Sequence, residues 1–338
     1  MKENFVLFYS ISSFNSFVYC VRFTCVTIEN TLKEIHVAAT HGFCAGVASA
    51  IEVVDRALEK YGRPLFVRHE IVHNTMVIES FEKQGVVFVE ELAEVPSDST
   101  VIFSAHGTAP GEYTRAKERG LTIIDATCPL VSKIHREAVR FSERGIQTVL
   151  IGHRGHQELI GTSGYVDQDL LFIVENEDDI DHLTCDPNSP IGFLTQTTLS
   201  VDETSDLISK LREKYPDIKG PPKADICYAT TNRQNAIKEI ASFCDVIIVC
   251  GSPTSSNSNR LRETASLMGV DSYIIDTVDE LQLSWLDGKT KCGVTSGASV
   301  PQSIVDDLLT RLKKSFSGVS IFESENIEKD IKFPLPNI

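Results

Sequence analysis

Apolar residues recur along this chain with the period of an α-helix directly after three cysteines. Behind Cys44 the positions Val47, Ile51, Val54 and Leu58 step by 4, 3 and 4 before Gly62; behind Cys128 the positions Val131, Ile134, Ala138 and Phe141 step by 3, 4 and 3 before Gly145. Such spacing puts the apolar side chains on one helix face, and the glycines supply the stops. Cys227 precedes Thr230-Thr231-Asn232, a capping-type cluster, and then Ala236, Ile237, Ile240 and Phe243. The third helix is therefore expected to start a little later after its cysteine. A strand-like run follows each helix, beginning at Pro64, Thr148 and Val246, which lie 20, 20 and 19 residues after the respective cysteines.

The repeat extends into polar positions. His73 lies 29 residues after Cys44, His156 lies 28 after Cys128, and Ser255 and Ser256 lie 28 and 29 after Cys227. A later strand in each unit ends in Ser104-Ala-His106, Thr195-Gln-Thr197 or Thr295-Ser-Gly-Ala-Ser299. Alternating strands and helices predict α/β units with mainly parallel sheets, in which functional groups collect where strands end and helices begin. Length favours three small units over one core. The expected division is an extension at 1–32, α/β domains at 33–120, 121–222 and 223–315, and a C-terminal tail at 316–338. The second boundary is marked by Lys219-Gly-Pro-Pro-Lys223. Residues 1–32 fit no unit of the repeat and are read as a disordered extension or the product of an upstream start codon. Glu3 and the interspersed Ser and Asn fit a signal peptide poorly.

Charge narrows the partners. A net charge of -15 without any basic run argues against a broad nucleic-acid surface, and no run is apolar enough to span a membrane. An anionic ligand would need local donors: helix N-termini, histidines and hydroxyls. Ser255-Ser-Asn-Ser-Asn259, set before a helical stretch, supplies such donors, and no phosphate-binding P-loop pattern occurs. Nine cysteines without closely paired spacing read as reduced thiols or metal ligands in an intracellular α/β enzyme, with the cytoplasm as the default compartment.

Cys44, Cys128 and Cys227 are 84 and 99 residues apart, so a shared site forms only in the folded chain. Structural zinc sites instead draw on local cysteine pairs. Three sulfurs on a 4Fe-4S cubane leave one iron without a cysteine and open to substrate, whereas electron-transfer clusters use four. Cys185, Cys244, Cys250 and Cys292, in contrast, read as packing residues, because free cysteine behaves as a small buried hydrophobe. Cys20 and Cys25 receive the same reading. His73, His106 and His156 suit donors to an anion, while His36 and His182 have no such placement. Glu158, two residues past His156, is positioned to give a proton if its surroundings raise its pKa.

Nine motifs together resemble the 4-hydroxy-3-methylbut-2-enyl diphosphate reductase family (IspH/LytB). They are Gly42-Phe-Cys44-Ala-Gly-Val, His73-Asn74, Ser104-Ala-His106-Gly, Ala126-Thr-Cys128-Pro, Gly155-His156-Gln-Glu158, Thr195-Gln-Thr197-Thr, Cys227-Tyr-Ala-Thr-Thr-Asn-Arg, Ser255-Ser-Asn257-Ser-Asn and Gly297-Ala-Ser299, spanning about residues 35 to 312 in the family's order. The chain departs from the family's usual pattern at Thr40-His41 and at Gln157, positions that shape loops and carry no ligand. The resemblance implies a pseudo-threefold trefoil of α/β domains around one 4Fe-4S cluster per chain, held by Cys44, Cys128 and Cys227. It implies that His73, His106, His156, Ser255, Ser256, Asn257 and Ser299 bind a diphosphate, that Thr197 lies near a substrate hydroxyl, and that Glu158 is the proton source. It further implies the last step of the non-mevalonate isoprenoid route and a ferredoxin or flavodoxin as one-electron donor. Such donors are usually acidic, as this chain is, so a local basic patch would be required.

Two other readings remain open on sequence alone. One is a zinc hydrolase with a three-cysteine site and an activated water, acting on a phosphorylated substrate. The other is a non-catalytic iron–sulfur sensor of a phosphorylated ligand, in which Glu158 would be dispensable.

Overall fold

The computed structural model describes residues 31–221, 225–336 and 338. The expectations for residues 1–30, with Cys20 and Cys25, and for the end of the Lys219–Lys223 link, from residue 222 on, lie outside the described residues. The strands are β1 (Glu34–Val37), β2 (Leu65–Arg68), β3 (Val86–Val89), β4 (Thr100–Phe103), β5 (Thr122–Asp125), β6 (Gln147–Ile151), β7 (Leu171–Val174), β8 (Ile191–Thr195), β9 (Val246–Cys250), β10 (Asp271–Ile275), β11 (Lys291–Ser296) and β12 (Ser320–Glu323). They form three sheets, ordered β3-β2-β4-β5, β7-β6-β8 and β10-β9-β11-β1-β12, and every pairing between them is parallel. The helices are α1 (Ala45–Tyr61), α2 (Thr75–Lys83), α3 (Pro110–Glu118), α4 (Pro129–Glu143), α5 (Gln157–Ser163), α6 (Glu177–Asp181), α7 (Val201–Lys214), α8 (Tyr228–Ala241), α9 (Ser256–Leu267) and α10 (Gln302–Ser315).

Sheet membership corrects the expected boundaries. β1, placed at the head of the first domain, pairs with β11 and β12 in the third sheet, burying Ile35 and Val37 beside Ile248 and Val294. β5, placed in the second domain, extends the first sheet beside β4. β12 draws the start of the expected tail into the third sheet. The physical reason is common to all three: a short apolar strand records in its sequence that it is buried, but not which sheet buries it.

Each cysteine helix is thus a crossover between units. α1 leaves the third sheet and packs Ala50, Val53, Val54 and Ala57 on Leu65, Val67 and Ile102 of the first. Burying the two valines alone contributes about 3–5 kcal/mol. The fully buried stripe is offset from the predicted one, because the alanines let the helix approach the sheet while Val47, Ile51 and Leu58 pack at its flanks. α4 leaves the first sheet and packs on the second through Ile134, Ala138 and Phe141. α8 leaves the second unit and packs Ala236, Ile237 and Ile240 on the third sheet. Gly62 and Gly145, at φ of 76° and 62°, stop α1 and α4 as predicted, since a side chain is disfavoured there. Phe243, expected on the buried face of the third helix, lies beyond its end and is 41% exposed. Cys185, Cys244, Cys250 and Cys292 are buried among apolar side chains, as expected of packing residues.

Candidate active site

The three cysteines occupy equivalent places, and hydrogen bonds make the equivalence explicit. The backbone N–H of Cys44 donates to Ala298 O (3.0 Å), that of Cys128 to Ala105 O (3.0 Å), and that of Cys227 to Thr197 O (3.1 Å). Those carbonyls belong to the three polar strand ends singled out in the sequence, so each strand end seats the next cysteine and the last seats the first. Every cysteine is the N-cap of its helix. The third helix corrects the expectation of a later start: α8 begins at Tyr228, Cys227 Sγ accepts from Thr230 N at 3.3 Å, and Thr230-Thr231-Asn232 lies inside the helix. Sulfur is absent from the usual cap residues, which is why the sequence rule moved the start.

A single pocket, with an empty volume of about 790 Å³ including its mouth, is lined by all twelve candidate residues: Cys44, Cys128, Cys227, His73, His106, His156, Glu158, Thr197, Ser255, Ser256, Asn257 and Ser299. The histidines come from three strand–helix junctions. The rings of His73 and His106 stack at 4.3 Å, with His156 edge-on to both at 5.9 and 6.0 Å. Burial, then repulsion from His73 and His156, holds the His106 ring well below the ordinary imidazole range. Burial and the neighbouring His73 hold His156 at about 4. His156 Nδ1 caps α5 by accepting from Glu158 N at 3.1 Å, so the neutral ring carries its proton on Nε2 and can donate from there. Glu70 takes the Nδ1 side of His73 at 2.7 Å.

Hydroxyls and an amide complete the polar wall. Ser255 caps α9 by accepting from Ser258 N, so the helix starts at Ser256, and Ser256 to Asn259, expected to precede it, form its first turn. Ser256 Oγ donates to Thr198 O at 3.0 Å, and Ser299 Oγ donates to His73 O at 2.9 Å. Both oxygens keep lone pairs, and both hydroxyls can turn to a ligand. Asn257 is 5% exposed, yet neither its Oδ1 nor its Nδ2 has a partner among the described residues. A buried amide in that condition is costly unless something else fills the pocket beside it. Glu158 is 3% exposed and accepts from Thr197 N (2.6 Å) and from Thr197 Oγ1 (2.8 Å). Burial pushes its carboxyl up to about 7, Asp225 adding to the rise while the Thr197 bonds oppose it.

Sequence reasoning missed several lining residues, among them Gly46, Thr198, Tyr228 and Phe333. A Cβ on Gly46 would stand 2.7 Å from Cys128 Sγ and 3.8 Å from Cys44 Sγ, so only glycine leaves room between the two sulfurs. The Gly42-Phe-Cys44-Ala-Gly46 run held that signal, but without the fold it reads as an ordinary first-turn glycine.

A family model described as LytB protein matches residues 35–313. The chain belongs to the LytB family. LytB relatives named 4-hydroxy-3-methylbut-2-enyl diphosphate reductase include one from Neisseria meningitidis serogroup C, 47% identical over 90% of this chain and 94% of its own. Another, from Aliivibrio fischeri strain MJ11, is 49% identical over 90% of this chain and 97% of its own. The solved structure of the E-1-hydroxy-2-methyl-but-2-enyl-4-diphosphate reductase from Plasmodium falciparum superposes with a TM-score of 0.87 at 36% identity, covering 90% of this chain and 96% of that one. The trefoil of α/β units expected from the motifs is therefore the LytB fold.

The donor set fits an iron–sulfur group, the class of cofactor that LytB enzymes carry. Burial, then the other two cysteines, pushes the Cys128 thiol up to about 12; burial, then Cys44, pushes Cys227 to about 11. Thiols that hinder one another's ionisation become thiolates only beside a compensating cation. One zinc ion is a poor fit, since tetrahedral Zn–S bonds of about 2.3 Å require sulfurs roughly 3.8 Å apart. Among the described residues, no three His, Cys, Asp or Glu side chains form a single-ion site. The sulfurs line a pocket rather than converge on a point, and the zinc-hydrolase reading is set aside with the LytB assignment.

Proposed function

We propose that this protein reductively removes the hydroxyl of (E)-4-hydroxy-3-methylbut-2-enyl diphosphate to give isopentenyl and dimethylallyl diphosphates, the last step of the non-mevalonate isoprenoid route. The observation that carries the reading is that cysteines, anion donors and a buried carboxyl from all three units share one pocket in a LytB chain. Cys44, Cys128 and Cys227 would hold one 4Fe-4S cluster, which when bound supplies single electrons and, at the iron without a cysteine, a Lewis acid. His73, His106, His156, Ser255, Ser256, Asn257 and Ser299 grip the diphosphate, and Thr197 orients the hydroxyl end. The reaction consumes two electrons and two protons: the C–O bond breaks, one proton leaves with the hydroxyl as water, and the other is added at either end of the allylic unit. Glu158 supplies the proton that leaves with the hydroxyl as water. A one-electron donor protein of ferredoxin or flavodoxin type and a cytoplasmic setting complete the proposal; no helix among the described residues is long and apolar enough to cross a membrane.

Protein purified without oxygen should be brown, carry iron and sulfide, and consume the hydroxy-diphosphate when given a one-electron reductant. A folded protein without iron would refute the assignment. Gly46→Ala separates the pocket from the fold. The added Cβ meets Cys128 Sγ at 2.7 Å with or without iron, so the metal-free protein should stay folded but melt somewhat below wild type, the helix-propensity gain of up to about 1 kcal/mol offsetting part of that contact. The same methyl presses on Cys128 Sγ, so iron per chain should drop severely. Full iron content in this variant would count against the site.

The histidines predict proton linkage. His106 and His156 are neutral at pH 7, because burial and then the neighbouring histidines, His73 foremost, disfavour the charged rings. A bound diphosphate reverses that balance, chiefly at His106, since His156 needs Nδ1 as its helix cap. Binding of inorganic pyrophosphate near neutral pH should take up on the order of one proton per chain and tighten as pH falls. Calorimetry in buffers of different ionisation heat measures this, and proton release on binding would contradict it.

A further inference from the structure

The chain beyond residue 313, where the family match ends, returns to the pocket. After β12, Asn326 Nδ2 donates to His41 O (3.4 Å) and Glu328 N donates to Asn326 Oδ1 (2.9 Å). The Glu328 carboxylate, 8% exposed with its residue, accepts from Asn232 Nδ2 (3.0 Å) and Arg233 Nη1 (2.9 Å). Arg233 is 0% exposed and lies on α8, the helix that Cys227 caps. Its other arm reaches across to Gly42 O at 2.8 Å, two residues before Cys44, where Gly42 adopts a φ of 76° and gives its N–H to Ser296 Oγ. Farther on, Phe333 lines the pocket edge-to-face with Tyr228, whose hydroxyl accepts from Ala45 N at 3.4 Å. Leu335 and Ile338 then pack against the core beneath α1.

We propose that Asn326–Phe333 is a strap that positions the Cys44 loop against the Cys227 helix, with Glu328 and Arg233 as its positioning residues. A guanidinium stays charged under all ordinary conditions and is tolerated inside a protein only when its charge is met. Glu328 meets that charge, which leaves the second arm of Arg233 free to hold the Gly42 carbonyl. Phe333 lines the same side of the pocket. One residue pair thus sets the spacing between two of the three sulfurs from outside the pocket. The proposal rests on Cys44 and Cys227 holding the cluster.

The test uses iron–sulfur-loaded protein prepared without oxygen, comparing wild type, Glu328→Gln and the double variant Arg233→Met with Glu328→Leu. Three quantities are read: the rate at which a chelator bleaches the visible absorbance, amide exchange in the peptide covering Gly42 to Ala48, and the melting temperature. Glu328→Gln should lose its cluster and exchange that peptide about tenfold faster or more than wild type. The double variant, which buries no charge, should recover the melting temperature but not the slow cluster loss, because the bond to Gly42 is gone. A double variant that keeps its cluster as wild type does makes the pair merely structural and overturns the proposal, as does a loaded Glu328→Gln with wild-type rates. Wild type that carries no iron removes the cluster reading itself and the strap with it.

Discussion

Cys128→Ser, like Cys44→Ser and Cys227→Ser, is expected to give a folded, colourless protein with almost no iron or sulfide and no measurable turnover. The fold should survive because oxygen replaces sulfur with little change of shape and serves the helix better. Cys44 Sγ accepts from Val47 N at 3.5 Å and Cys227 Sγ from Thr230 N at 3.3 Å, which are weak caps. Serine is among the preferred cap residues, and a good cap contributes about 0.5–2 kcal/mol. Metal-free Cys44→Ser and Cys227→Ser should therefore melt at or slightly above metal-free wild type, and Cys128→Ser, whose sulfur makes no cap hydrogen bond, should melt close to it. Stability and cofactor content moving in opposite directions is the result expected if the three cysteines are ligands that also stand at helix caps. Iron and sulfide per chain together with melting curves check this; iron content unchanged in all three variants would show that the sulfurs hold nothing.

The parts of this site that repeat in sequence were legible there. The cysteines, the histidines and serines about 28 residues on, and the polar strand ends each mark a strand-to-helix junction, and parallel α/β units gather such junctions at one end. What the sequence did not carry was which junctions belong to which sheet. β1 and β5 were assigned to the wrong neighbours because chain order was taken for spatial order, whereas α1, α4 and α8 each cross from one unit to the next. Gly46 and the Arg233–Glu328 pair were invisible for a different reason. Their roles lie in contacts with Cys128 Sγ and Gly42 O, 82 and 191 residues away, and no periodicity records those. The start of α8 was misplaced because the cap there is a sulfur.

Glu158→Gln is expected to lower turnover by about 10²- to 10⁴-fold, the usual share of a positioned general acid, while iron and sulfide content stay at wild-type levels. Glutamine keeps the volume and can still accept from Thr197 N, so the loss would report the missing proton rather than a disturbed pocket. The pH dependence sharpens the argument. Because burial lifts the Glu158 carboxyl from 4.5 to about 7, it holds its proton up to near-neutral pH, and turnover should decline above about pH 7 in proportion to the acid form. The residual activity of Glu158→Gln should lack that decline. The same shift has a stability side with a fixed sign: the native state binds the proton more tightly than the unfolded chain. The contribution is complete below pH 4.5 and is lost as pH rises through about 7. A gap of that size corresponds to roughly 3 kcal/mol, so Glu158→Gln should melt above wild type at pH 8 and lose that advantage near pH 4.5. An iron–sulfur sensor that only binds a phosphorylated ligand would show the melting difference and no change in turnover, since it has none. A Glu158→Gln protein that turns over at the wild-type rate with the wild-type pH profile would remove Glu158 from the chemistry and leave Thr197 as the partner of an inert buried carboxyl.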